Sequence, residues 1–105
     1  MPKPKHDFDA LFAYYPAVIA QMPETFDSHQ FILCLAQQHQ TLYIEALYSH
    51  RHSLHRESPA PFRVVHQFLA QHLSACRGLV TRAGDVYSAD IFGQFNECAR
   101  WRRLR

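Results

Sequence analysis

Leu79-Val80-Thr81-Arg82-Ala83-Gly84-Asp85-Val86-Tyr87-Ser88 is where the pattern of the chain changes. Upstream of it, apolar residues recur every three or four positions. Here they sit in short arms on either side of Ala83-Gly84-Asp85, a turn-forming triplet, which predicts a β-hairpin. Residues 91–96 follow as a second turn-rich segment with aromatics at its edges. Residues 97–104 then alternate, with Ala99 and Trp101 on one face and Arg100 and Arg102 on the other. That run reads as a terminal strand pairing back onto the earlier arms, with Trp101 in the core.

Working outward from the hairpin, helical spacing takes over. Phe62, Val65, Leu69, His72 or Leu73, and Cys76 make one apolar stripe, with Pro61 suited to the first turn and Gly78 to the C-cap. Before it, residues 49–61 are polar, hold two prolines and read as a flexible linker. A second helix is expected from Asp27, whose capping-box partner is Gln30, to about Tyr48. The polar run Gln37-Gln38-His39-Gln40 makes a break near Gln40 and Thr41, and so a fourth helix, the alternative. The first helix is expected from an Asp7 cap through Phe8, Leu11, Phe12, Tyr15 and Ile19, with a kink or a restart at Pro16, and ended by Pro23. Residues 1–6 are expected to be a disordered tail. The fold class is therefore α+β: three or four helices, then a small antiparallel sheet.

The chain has 105 residues, 48% of them apolar and 13% aromatic, which suits one domain with one core and excludes intrinsic disorder. The longest apolar run, residues 12–20, contains Pro16 and is far below the ~20 residues that span a bilayer. No secretory h-region follows the basic N-terminus, so a cytoplasmic location is the expectation. Cys34, Cys76 and Cys98 form no CxxC pair and are expected to be buried free thiols. The formal charge of +2 conceals an asymmetry: residues 1–50 carry two Lys against five acids, and residues 51–105 carry nine Arg against four.

Three helices followed by a basic hairpin sheet is an element order that resembles winged helix-turn-helix domains, over roughly residues 8–104. That resemblance implies a small non-enzymatic DNA-binding domain, a transcriptional regulator among the options, with the third helix as recognition helix and dimers common. Arg63, Gln67 and Gln71 recur every four residues and are suited to base edges, Arg to guanine and Gln to adenine. Arg82, Arg100, Arg102 and Arg103 would anchor phosphates of double-stranded DNA.

No Gly-rich phosphate loop, Ser elbow, HExxH or close acid pair appears, so no catalytic residue and no cofactor is expected. His50, His52 and His55 crowd the linker without an acidic or thiolate partner nearby, and no metal site is expected there. The competing reading is a protein-interaction or homodimer module using Tyr14, Tyr48, Tyr87, Phe92 and Phe95. Exposure discriminates: surface aromatics away from the third helix favour a protein partner, whereas buried aromatics and a continuous arginine face favour nucleic acid.

Overall fold

The computed structural model describes residues 8–104; the expected Asp7 cap and the tail at 1–6 lie outside the described residues. The elements run α1 (Asp9–Phe12), α2 (Tyr15–Ile19), β1 (Thr25–Asp27), α3 (Ser28–Gln38), α4 (Gln40–Ser49), β2 (Leu54–His55), β3 (Ser58–Pro59), α5 (Pro61–Leu73), β4 (Val80–Ala89) and β5 (Phe95–Arg103). The fold is α+β, as expected. No helix among the described residues is long and apolar enough to cross a membrane.

The first helical unit breaks between α1 and α2, with Pro16 in the opening turn of α2, where its missing N–H costs nothing. Leu11, Tyr15, Val18 and Ile19 are buried from it. The Tyr15 hydroxyl donates to the Leu69 carbonyl of α5 at 2.7 Å, and burial pushes its pKa far up. The polar run 37–40 does break the second helix: His39 leaves helical geometry at φ −129°, and its ring stacks on Tyr14 at 3.8 Å. The capping box at Asp27 and Gln30 is present with both bonds at 2.8 Å.

Four expectations are corrected. Thr25-Phe26-Asp27, read only as the approach to the second helix, is also a strand, and it pairs antiparallel with β5 as Thr25↔Arg102, Phe26↔Trp101 and Asp27↔Arg100. Burying Phe26 opposite Trp101 outweighs the three residues' weak strand signal. Ala83-Gly84 is a β-bulge inside one long strand, not a turn: the two residues oppose Arg100 alone, with Gly84 at φ +105°. The hairpin turn lies instead at residues 90–94, where one Asp90 carboxylate oxygen accepts the Phe92 and Gln94 N–H groups at 2.9 and 3.0 Å and Gly93 takes φ +82°. The expected linker at 49–61 contains the two-stranded ribbon β2–β3, turned by Arg56 and Glu57 at φ +51° and +70°. Helix α5 ends at Leu73 with Ser74 as C-cap, short of Gly78.

The three-stranded sheet has the order β1-β5-β4, so the arginine-bearing β5 is central and β4 an edge. The main core forms where Leu35, Phe31, Tyr15, Val65, Leu69 and Leu73 meet the inner end of the sheet at Phe26, Val80 and Trp101. Several of the eight histidines serve as flat packing groups: His72 stacks on Phe12 at 3.6 Å, and His50 is buried beside Phe8 and Phe68. The cysteines are free but half-buried rather than buried.

Candidate nucleic-acid interface

Helix α5 buries Val65, Leu69 and Leu73, four residues apart, so the positions between them are turned outward. Arg63, Gln67 and Gln71 are all exposed along that outward line, with Ala70 half-buried beside them. They form one wall of an open cleft of about 1000 Å³. The facing wall is the hairpin, which contributes Arg82, Phe95 and Glu97, while Ile32 and Trp101 lie deeper. At one end the cleft is closed by an aromatic contact in which Phe92 from the hairpin turn meets Phe62 edge-on at 4.7 Å and stacks over His66 at 6.1 Å.

His66 is fixed from below by the Tyr43 hydroxyl, 2.5 Å from its Nε2. Burial holds the His66 pKa below its ordinary value, only partly offset by the Asp90 carboxylate, and burial raises the Tyr43 hydroxyl to about 12. The pair is therefore neutral at physiological pH and acts as a hinge plate for the turn, not as a charge. The hairpin wall is oriented by a second polar cluster. His29 of α3 lies 3.0 Å from Ser88 through Nδ1 and 3.0 Å from Asn96 through Nε2, and Ser88 and Asn96 are directly opposed on β4 and β5. Asn96 in turn donates to Asp90 at 3.2 Å.

The arginines expected to anchor phosphate are not brought together. Arg82 lines the cleft and is 61% exposed, although it is paired with Asp85 at 2.5 Å across the bulge. Arg100 and Arg102 are exposed but alternate with Trp101, so they project from the opposite face of the sheet and do not line the cleft. Arg103 pairs with Val80 in the core-side register and is half-buried, with its Nε buried and lacking a hydrogen-bond partner. The cleft also holds two acids, Glu97 and Asp90.

The five aromatics outside the helical stripes are all exposed, from 43% at Tyr14 to 69% at Tyr87. Phe92 and Phe95 border the α5 cleft, and the Tyr87 and Phe95 rings meet at a tilt, centroids 5.8 Å apart, on the hairpin. Phe92 and Phe95 thus lie beside the third long helix; the exposed aromatics and the split arginine face meet in full neither the condition set for a protein partner nor that set for nucleic acid. His50 does not join His52 and His55: it is 4% exposed and bonded through Nδ1 to Ser53. Sequence reading missed His29, Ser88, Asn96 and Asp90; the alternation in β5 and the Asp90–Gly93 turn signal were the available hints. No protein-family model matches this sequence, and no curated protein or solved structure matches it either.

Proposed function

We propose that this chain is a non-enzymatic domain that binds double-stranded DNA in the manner of a winged helix, reading bases with α5 and bracing on the β4–β5 hairpin. The observation that carries the reading is the exposed line Arg63, Gln67 and Gln71 on one helix, with Arg82 of the hairpin in the same open cleft. Side chains four apart on a helix reach successive base edges in a major groove, and a flanking strand arginine reaches phosphate. The element order also supports it: the hairpin follows the third helical unit, and the sheet is completed by a strand from between the first and second units. Because Arg100 and Arg102 face the other way, phosphate contact on the cleft side falls to Arg63 and Arg82. A salt titration of binding to random duplex DNA tests this. The wild type is expected to bind at low salt with a steep negative dependence on salt, and Arg63→Ala/Arg82→Ala to shallow that slope by roughly two counterions' worth. No binding at low salt, or an unchanged slope, rejects the reading.

A second reading, a homodimer or protein-interaction module, is favoured by one observation. Tyr87 and Phe95 form a tilted aromatic pair on the hairpin, ring centroids 5.8 Å apart and each more than half exposed. Aromatic pairs of this kind are typical interface anchors. On a sizing column the interaction reading predicts a concentration-dependent shift that Tyr87→Ser/Phe95→Ser abolishes. A concentration-independent monomer removes the homodimer form of it.

A further inference from the structure

The polar cluster that orients the hairpin contains a second arrangement. Asp27 at the end of β1, His29 in the first turn of α3 and Cys98 on β5 each offer a ligand atom, and these atoms all lie within 4.8 Å of one another. The three residues come from separate elements, and all are half-buried, sheltered but reachable from solvent.

The hydrogen bonds fix which nitrogen of His29 is available. Asn96 donates through its amide nitrogen to the Asp90 carboxylate and to the Gln94 carbonyl, which are acceptors only, so the Asn96 amide orientation is set. Its Oδ1 must then accept from His29, and Nε2 carries the proton. Nδ1 is left with its lone pair, directed at Ser88 Oγ at 3.0 Å, which is itself 3.7 Å from Cys98 Sγ. A histidine whose far nitrogen donates to an amide oxygen, the amide itself being held through its nitrogen on a carboxylate, has the support a metal-binding imidazole needs. Asp27 uses Oδ1 to cap α3, accepting from Gln30, and keeps its second oxygen for a ligand.

We infer that Asp27, His29 and Cys98 bind one divalent ion of the zinc class and so tie the outer hairpin to the start of α3. Thiolate, imidazole and carboxylate are a donor set for a borderline-soft ion and a poor one for magnesium or calcium. With bonds of about 2.0–2.3 Å, tetrahedral zinc sets its ligand atoms roughly 3.3–3.6 Å apart. The Nδ1–Oγ and Oγ–Sγ separations bracket that range, so the Ser88 hydroxyl lies between two of the three ligands, where it or a water would serve as the fourth. Binding releases the Cys98 thiol proton to solvent, leaves His29 neutral and changes no oxidation state. The Ser88–His29–Asn96 relay also has the layout of a nucleophile with its base. The convergence of Asp27 and Cys98 on the His29 ring is what favours coordination, since a relay needs neither.

The test is a cobalt(II) titration of the full reduced chain, read by absorbance, with zinc as competitor; it is independent of DNA binding. One saturable site is expected, with thiolate-to-cobalt charge transfer and the intense visible bands of tetrahedral cobalt, both removed by zinc. His29→Gln and Cys98→Ser are expected to lose the charge-transfer band while keeping the wild-type far-UV spectrum. Asp27→Ser, which retains a capping hydroxyl, is expected to weaken binding at least about tenfold. Cys34→Ser and Cys76→Ser should leave the band intact. Absence of the band in the wild type, its survival in Cys98→Ser, or its loss only with Cys34→Ser or Cys76→Ser overturns the site. If Cys98→Ser does not fold, alkylation of the wild type decides: zinc must protect Cys98 alone of the three thiols, and protection of none or of all overturns the proposal. Labelling of Ser88 by a fluorophosphonate with no cobalt band would replace the metal site with a nucleophile.

Discussion

The inner and outer halves of the β4–β5 hairpin are held by different forces. At the inner end Val80 and Trp101 are almost wholly buried, Phe26 covers Trp101 from β1, and the Trp101 indole N–H donates to Ser28 Oγ at 3.0 Å. Beyond the bulge at Ala83-Gly84 the strands leave the core, and Tyr87 and Phe95 stand 69% and 61% exposed. What holds the outer half is a few polar contacts and one aromatic one: His29 against Ser88 and Asn96, Asp90 closing the turn, and Phe92 resting on Phe62 and His66. Apolar burial contributes roughly 1.5–3 kcal/mol per large side chain, whereas a typical hydrogen bond adds only about 1 kcal/mol net. The inner half is thus part of the folding unit. The outer half is an arm whose angle to α5 depends on a few modest bonds, and that angle sets the width of the cleft.

Breaking the inner half should have the largest effect. Trp101→Ala is expected to cost about 3–5 kcal/mol, seen as a lowered denaturant midpoint with little change in slope, because it leaves a cavity under Phe26 and Val80. In the outer half, His29→Ala should cost only about 1–2 kcal/mol globally. Its signature should be local: hydrogen exchange of amides 85–97 accelerates while α5 amides retain protection.

Acid probes the contact at the hairpin tip. His66 and His72 both have pKa values held below the ordinary 6.5 by burial. The unfolded chain therefore binds protons first as pH falls. Stability should be unaffected by these groups well above pH 6.5 and should drop as pH is lowered through that value, until the folded-state histidines titrate. Denaturant midpoints measured across this window check the sign, and His66→Gln should flatten the decline. The smallest effect is expected at the exposed pair: Tyr87→Ser should change stability by less than about 0.5 kcal/mol, whatever it does to self-association.

Much of this comparison could be read from residue order. The Ala99/Trp101 versus Arg100/Arg102 alternation placed both faces of β5 correctly, and the Asp27–Gln30 box marked the start of α3. Other features depend on partners distant in the chain. Three residues with one large apolar side chain become β1 only because Trp101 lies opposite Phe26. A glycine at positive φ serves a bulge as readily as a turn, so Ala83-Gly84 looked like the hairpin tip. Arg56 and Glu57, both at positive φ, carry none of the usual residues of a two-residue hairpin turn. In the candidate interface, the spacing of Arg63, Gln67 and Gln71 was legible. Whether Arg100 and Arg102 share their side of the sheet was not, because that depends on which face α5 covers. Asp27 and His29 are separated from Cys98 by most of the sequence, so no local motif could join them.

The most direct measurement compares two double variants, Arg63→Ala/Gln67→Ala on the cleft and Arg100→Ala/Arg102→Ala on the reverse face, by fluorescence anisotropy on one random duplex at fixed low salt. DNA binding through α5 predicts that the cleft variant loses at least about tenfold in affinity, while the reverse-face variant, which removes two positive charges to the cleft variant's one, loses only a few-fold through long-range attraction. Equal losses, or a larger loss from the reverse face, would contradict it.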